Sequence, residues 1–233
     1  MKQVKWYAAA LLCVWMTTGC QNDDLAPTDS SVLVNSDFKT STDNWTADFT
    51  DYSTAQDSIM EFAFTHAALP KPLDESKKAL MISGHNRSDD MFMFVRRKIT
   101  GLRPNTTYRL KFDVELASQY ADNSVGIGGS PGSSVYLKAG ATASEPKKVK
   151  KDDFYEISID KGNQATGGKD AVVLGHVGAG ADVKEYKLIR RTNTEPFVAK
   201  TNESGELWVI VGTDSGFEGK TTLYYNQIKV TVL

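Results

Sequence analysis

The stretch from Thr106 to Leu116 limits what this chain can become more than any other. Tyr108, Leu110, Phe112, Val114 and Leu116 alternate with Arg109, Lys111, Asp113 and Glu115. Period two puts every apolar side chain on one face and every charge on the other, which describes a half-buried antiparallel strand. The same rule recurs. Met60, Phe62 and Phe64 alternate with Glu61 and Ala63, and Tyr155, Ile157 and Ile159 with Glu156 and Ser158. Leu207, Val209 and Val211 alternate with Glu206 and Trp208. In the last stretch, Tyr224, Ile228, Val230 and Val232 share a parity with Asn226. Shorter candidates lie at 32–34, 79–83, 91–99, 134–139, 171–177 and 185–191. Turn signals separate them, among them Gly101, Pro104-Asn105, Gly128-Gly129, Gly162-Asn163 and Gly167-Gly168. Only Pro72 to Lys78 has helical start signals, and for about two turns. Many short strands joined by loops predict an all-β antiparallel β-sandwich, jelly-roll-like, over 32–233.

Residues 1–19 have a different character. Lys2 and Lys5 precede the apolar stretch Trp6–Met16, too short to span a bilayer, and Thr17-Thr18-Gly19-Cys20 follows. That is the layout of a secretory signal. Gly19-Cys20 resembles the end of a bacterial lipobox, with Thr17 where Leu is usual. The resemblance implies cleavage before Cys20 and lipidation of that cysteine. Asp23 and Asp24 resemble the surface-export signal of some Gram-negative lipoproteins. The expectation is therefore a signal at 1–19, a polar tether at 20–31 and a domain at 32–233. The lipid would hold it to the bacterial outer membrane, facing the cell surface. Anchoring would rest on acyl chains, at roughly 0.8 kcal/mol per buried CH₂.

Cleavage would remove Lys2 and Lys5 and leave 25 basic against 29 acidic residues. A nucleic-acid partner would want a basic excess, so none is expected. The one basic run, Lys147-Lys148-Val149-Lys150-Lys151, meets Asp152-Asp153 at once and reads as a solvated loop. Cys13 and Cys20 are the only cysteines, so a domain over 32–233 has neither a disulfide nor a thiolate site.

Three stretches resemble carbohydrate-binding-module jelly rolls. Val32–Phe38 with Asn44-Trp45 looks like their first strand, Gly101–Val114 is similar to a recurrent inner strand, and Leu223–Val232 looks like their last. The resemblance implies architecture more than activity. The middle of the chain resembles uncharacterised bacterial proteins.

Strand reversal places loops 84–90, 118–133 and 161–170 at one end of a sandwich, where binding residues tend to gather. His85, Asn86, Arg87, Asp89, Asp160 and Asn163 are the ligand-binding candidates there. Arg87 has the fork to pair with Asp160, which would make the group a structural lock instead. Trp45, Phe49, Tyr52 and Trp208 are candidates for an aromatic sugar platform, against the ordinary fate of large aromatics in a core. Asp37 and Asp43, near Asp48 and Asp51, are the candidate ligands of a structural calcium ion, because the jelly rolls that the chain resembles often hold one between first and last strands. His66, His85 and His176 lack metal-ligand spacing. Gly126–Gly132 is no dinucleotide fingerprint, since Pro131 displaces the third glycine and no helix follows. No catalytic motif stands out. The expected role is non-catalytic binding, with a glycan first, a structural or adhesive surface protein second, and a hydrolase with dispersed carboxylates third.

Overall fold

The computed structural model describes Met1, residues 31–87 and residues 90–233. The signal, Cys20 and Asp89 lie outside the described residues. Fifteen strands follow in chain order: β1 (Val32–Ser36), β2 (Thr46–Thr50), β3 (Tyr52–Ser53), β4 (Ala63–Ala68), β5 (Lys78–His85), β6 (Met91–Ile99), β7 (Thr107–Ser118), β8 (Val135–Thr142), β9 (Lys148–Lys151), β10 (Phe154–Ile157), β11 (Val172–His176), β12 (Lys187–Thr192), β13 (Phe197–Lys200), β14 (Leu207–Ser215) and β15 (Lys220–Val232). Every pairing between them is antiparallel. Two sheets form the sandwich. One runs β12-β7-β15-β5-β4, with β1 also on β15 and β13 also on β7; the other runs β11-β8-β14-β6-β2. A third, small sheet, β3-β10-β9, is hydrogen-bonded to neither.

β7 behaves as its alternation requires. Leu110, Phe112, Val114 and Leu116 are fully buried and Tyr108 nearly so, while Arg109 and Lys111 face solvent. A slip of one residue would bring Lys111 and Asp113 into the core. Phe112 meets Phe197 of β13 with ring centroids 5.8 Å apart. From the facing sheet come Met93 and Val95 of β6, Leu137 of β8, and Val209 and Val211 of β14.

Four expectations need correction. β15 is irregular between Tyr225 and Gln227, where its register on β7 shifts by one. The bulge inverts parity, so Leu223 and Tyr225 are the buried residues before Asn226, not Tyr224. Residues 72–77 form a turn, not a helix, and Lys78 begins β5. Asp74 Oδ1 accepts from Ser76 N at 3.1 Å, and Leu69 N reaches Lys77 O at 2.9 Å, closing β4 onto β5. Two isolated turns are too few to nucleate a helix, and Asp74 offers the backbone an alternative partner. The only helical element among the described residues is a 3₁₀ helix at Thr54–Ile59, so Met60 and Phe62 precede β4 and do not begin it.

The basic run is the fourth. Residues 148–151 form β9, and Lys148 points inward. Its Nζ sits 3.8 Å from the Phe49 ring centroid, donates to Tyr52 Oη at 2.8 Å and lies 3.3 Å from Asp48 Oδ1. The ammonium is held over aromatic faces and against one carboxylate.

Candidate functional site

The five-stranded sheet is covered on its outer face too. Phe92 and Phe94 of β6 and Ile210 of β14 form a separate apolar cluster, with Ile157 and Ile159 laid on it. The segment 143–171 makes this cover. Where it crosses β8 it touches the backbone: a Cβ on Gly140 would stand 1.9 Å from Asp170 O, so only glycine fits there.

Beside that cluster the cover traps charge. Lys138 of β8 and Asp214 of β14 have no exposed side-chain surface, and their Nζ and Oδ2 are 2.7 Å apart. Lys138 Nζ also donates to Lys161 O and Thr166 O, each at 3.0 Å. Asp214 Oδ2 accepts in addition from Lys161 Nζ and from Gln164 N, each at 2.8 Å. Lys161 Nζ lies 3.1 Å from Asp51 Oδ2, an ion contact without an aligned hydrogen bond. Asp90 completes the group, in hydrogen-bonding range of Asp214.

Each titration follows from those neighbours. Burial works against the Asp214 charge, but Lys161 and Lys138 outweigh it and hold its pKa below the ordinary value. Burial lowers the pKa of Lys138, with Lys161 adding to the effect and Asp214 only partly offsetting it. Lys161 is pushed the other way, because Asp214 and Asp51 more than make up for its burial. Burial raises Asp51 despite Lys161. Asp90 is raised to about 7, first by burial and then by Asp214 and Asp51, whose negative charges disfavour a third. With Asp90 protonated, two lysines face two carboxylates and the group is neutral.

This cluster floors an open hollow of about 310 Å³. Asp51, Asp90 and Lys161 lie at its base, and Phe154, Asp160 and Asn163 around it. Phe154 is 37% exposed, an aromatic ring presented beside polar groups.

The three loops expected at one end do converge, around residues 214–218. Asn86 donates to Ser215 O and Phe217 O, at 2.8 and 3.0 Å. Glu218 N reaches Ile127 O at 2.8 Å, and Gln164 N reaches Asp214. The candidate residues divide, however. Asn163 and Asp160 line the hollow, though both Asp160 oxygens accept backbone N–H groups, from Gly162 and Lys169 at 3.0 Å each. Asn86 is buried in the hydrogen bonds just described. Arg87 does not reach Asp160. It donates to Ile59 O at 2.7 Å and to Glu61 Oε1 at 2.8 Å, where His85 Nδ1 also arrives at 3.2 Å. Glu61 therefore takes the pairing expected of Asp160.

Trp45 and Tyr52 are core residues, at 2% and 0% exposure, which corrects their reading as a platform. Trp45 Nε1 donates to Ser36 Oγ at 3.0 Å, and Tyr52 stacks on Phe49 at 4.6 Å. Their polar tips find partners inside, so burial carries no penalty. Trp208 is half-buried under Lys98, 5.4 Å from its ring centroid, and does not line the hollow. Asp37 and Asp43 line a shallow polar recess of about 190 Å³ beside β1. Asp37 pairs with Lys39 at 2.6 Å, and Asp43 with Arg97 and Ser36. Among the described residues no three His, Cys, Asp or Glu side chains are placed to share a metal ion.

Sequence reasoning missed Phe154, Asp90 and the Lys138–Asp214–Lys161 group. A lysine in the alternation of β8 and an aspartate in that of β14 were visible, but not that a distant segment would seal them in.

No family model and no curated protein matches the sequence. Solved structures share its general layout. A carbohydrate-binding module described for specific mannan recognition is 13% identical, with 88% of this chain and 99% of that one covered and a TM-score of 0.45. A putative sugar binding protein from Bacteroides thetaiotaomicron is 11% identical, with 91% and 100% covered and a TM-score of 0.42. The xylanase 10B modules of Clostridium thermocellum, complexed with xylohexaose, are 10% identical, with 86% of this chain covered and a TM-score of 0.40. The present chain spans 28% of that xylanase chain. These are loose overlaps of β-sandwich layout.

Proposed function

We propose that this chain is a lipid-anchored surface protein whose β-sandwich binds a glycan without catalysis, in the hollow beneath Phe154. The observation that carries the reading is the pairing of an exposed ring with polar groups around an open concavity. A sugar presents C–H bonds on its faces and hydroxyls at its edge. Phe154 suits the first, and Asn163, Asp160 and the inward carboxylates suit the second. A hydrolase is disfavoured by the carboxylates themselves. Glycosidase carboxyl groups face the sugar on either side, whereas Asp214 is fully enclosed, Asp51 lies against Lys161 and both Asp160 oxygens accept backbone N–H groups. Anchoring rests on the n-region, the short apolar stretch and Gly19-Cys20.

A glycan-array screen of the purified chain, repeated with Phe154→Ala, tests the binding site. Binding that survives Phe154→Ala unchanged places the site elsewhere. A chain that binds no glycan but adheres to other cells or surface proteins favours the structural or adhesive role. Mass spectrometry of the native N-terminus tests the anchor: cleavage at any bond other than Gly19-Cys20, or an unmodified Cys20, overturns it.

A further inference from the structure

The trapped charges are placed for chemistry on each other. Lys138 and Asp214 stand diagonally on paired strands, Lys138 opposite Gly212 and Asp214 opposite Tyr136. We propose that Lys138 Nζ and Asp214 Cγ condense into an intramolecular amide, releasing one water and tying β8 covalently to β14.

Each surrounding group has a role in that step. As a neutral amine, Lys138 has two N–H groups, and two carbonyl oxygens stand ready for them, Lys161 O and Thr166 O at 3.0 Å. The lone pair then faces the third neighbour, the Asp214 carboxyl group, with Oδ2 at 2.7 Å. As Cγ becomes tetrahedral, charge develops on Oδ2, where Lys161 Nζ and Gln164 N already donate at 2.8 Å. Donors fixed before charge appears are the arrangement that lowers such a barrier. Asp214 Oδ1 and Asp90 Oδ1 are both buried without a hydrogen-bond partner among the described residues. Asp214 Oδ1, the oxygen that no donor holds, is the leaving oxygen, and Asp90, whose carboxyl group interacts with Asp214, supplies its proton. Burial biases Lys138 toward the amine, Lys161 stays an ammonium ion and Asp90 keeps its proton until about pH 7, while the two lysines hold Asp214 as the carboxylate from which the step begins.

The protons balance. Lys138 begins as ammonium and Asp214 as carboxylate. One proton passes from Nζ to the carboxyl group, the N–C bond forms, and the C–Oδ1 bond breaks. Asp90 gives its proton to the departing oxygen and takes one back from the nitrogen, so it ends as it began. The products are an amide and water, and nothing is oxidised or reduced. Enclosure favours this direction, because the two groups are held in contact and solvent is excluded. Two buried charges disappear, and Lys161 remains balanced by Asp51.

The test is the intact mass of the full chain, read after denaturation, with peptide mapping. The expected mass is that of the processed sequence less one water, with a branched tryptic peptide joining Lys138 to Asp214. Lys138→Arg and Asp90→Asn, checked for folding by circular dichroism, are expected to show the full mass. A wild-type chain of full mass overturns the proposal without any variant. So does a branch at Lys161, or a dehydrated aspartate with no lysine attached. A folded Asp90→Asn chain that still carries the bond removes Asp90 from the step.

Discussion

The two faces of the five-stranded sheet are both buried, by different means. On the inner face, Met93, Val95, Leu137, Val209 and Val211 meet the facing sheet in an apolar core. On the outer face of the same strands, Phe92, Phe94 and Ile210 give way to Lys138 and Asp214 under an irregular cover. The inner face gains from area removed from water, where any apolar group of the right volume serves. The outer face depends on named partners. A buried ion pair is weak support for stability as a pair, yet losing one member leaves a charge with nowhere to go. One face tolerates change in identity, then, and the other tolerates change only in pairs.

The largest effects should expose that contrast. Phe112→Ala, in the inner core, is expected to cost about 3–5 kcal/mol in urea unfolding; a cost under about 1 kcal/mol would show that the face of β7 is not core. Asp214→Ala is expected to cost a similar amount, about 3–5 kcal/mol, by stranding the fully buried Lys138, while Lys161 keeps Asp51. The decisive comparison is the double change Lys138→Met with Asp214→Leu. Less destabilisation than from Asp214→Ala alone is expected, because both charges leave together. If the double change costs the sum of its parts, the outer face is no more selective than the inner.

Next comes a pH effect. The folded pKa of Asp90 is raised to about 7, above its unfolded value. Between those values the folded state holds a proton that the unfolded state has lost, so stability falls as pH rises through that window and levels off above it. Asp51, also raised, acts in the same direction, while Asp214, lowered, acts only below the ordinary carboxylate range and leaves this window untouched. Asp90→Asn removes one contribution, so its stability relative to wild type should improve from pH 5 to pH 7.5. Urea midpoints at the two pH values measure this, and an unchanged difference would mean that Asp90 does not titrate in that range.

The smallest effect should be functional. Phe154→Ala is expected to weaken glycan binding about three- to tenfold, in line with roughly 0.5–1.5 kcal/mol for an aromatic contact. The urea midpoint should hardly move, since the ring is partly in solvent. Calorimetric titration on the best array ligand separates the two readouts.

What could be read from the sequence follows the same division. β7 was legible because one face meets the core and the other meets water, so its pattern has one solution. β6 was legible as a strand, but MFMFV hides its two destinations, since a strand buried on both faces shows no alternation. β15 misled by one residue, because a bulge changes parity without leaving a composition signal. β2, β9 and β13 were missed: short strands of mixed character depend on what they pair with. The meeting of loops 84–90 and 118–133 was readable from strand reversal, but not that of 161–170, because the missed β9 lies between β8 and β10. The partners within it were not, as Arg87 choosing Glu61 over Asp160 shows. Lys138 is the hardest case, since only tertiary cover tells a buried lysine from a solvated one.

The seat of Lys148 bears on motion. At its hairpin end, the cover over the outer face is tethered by an ammonium ion resting on Phe49 and bonded to Tyr52. A short, partly exposed hairpin held by the two-residue strand β3, by Ile157 and by this latch is the kind of unit that opens on its own, well below the free energy of global unfolding. Amide hydrogens of β9 and β10 should then exchange with deuterium sooner than those of β6 and β14 beneath them. Lys148→Gln, which removes the charge and shortens the reach, should widen that gap and admit a protease at 143–171 while the sandwich stays whole.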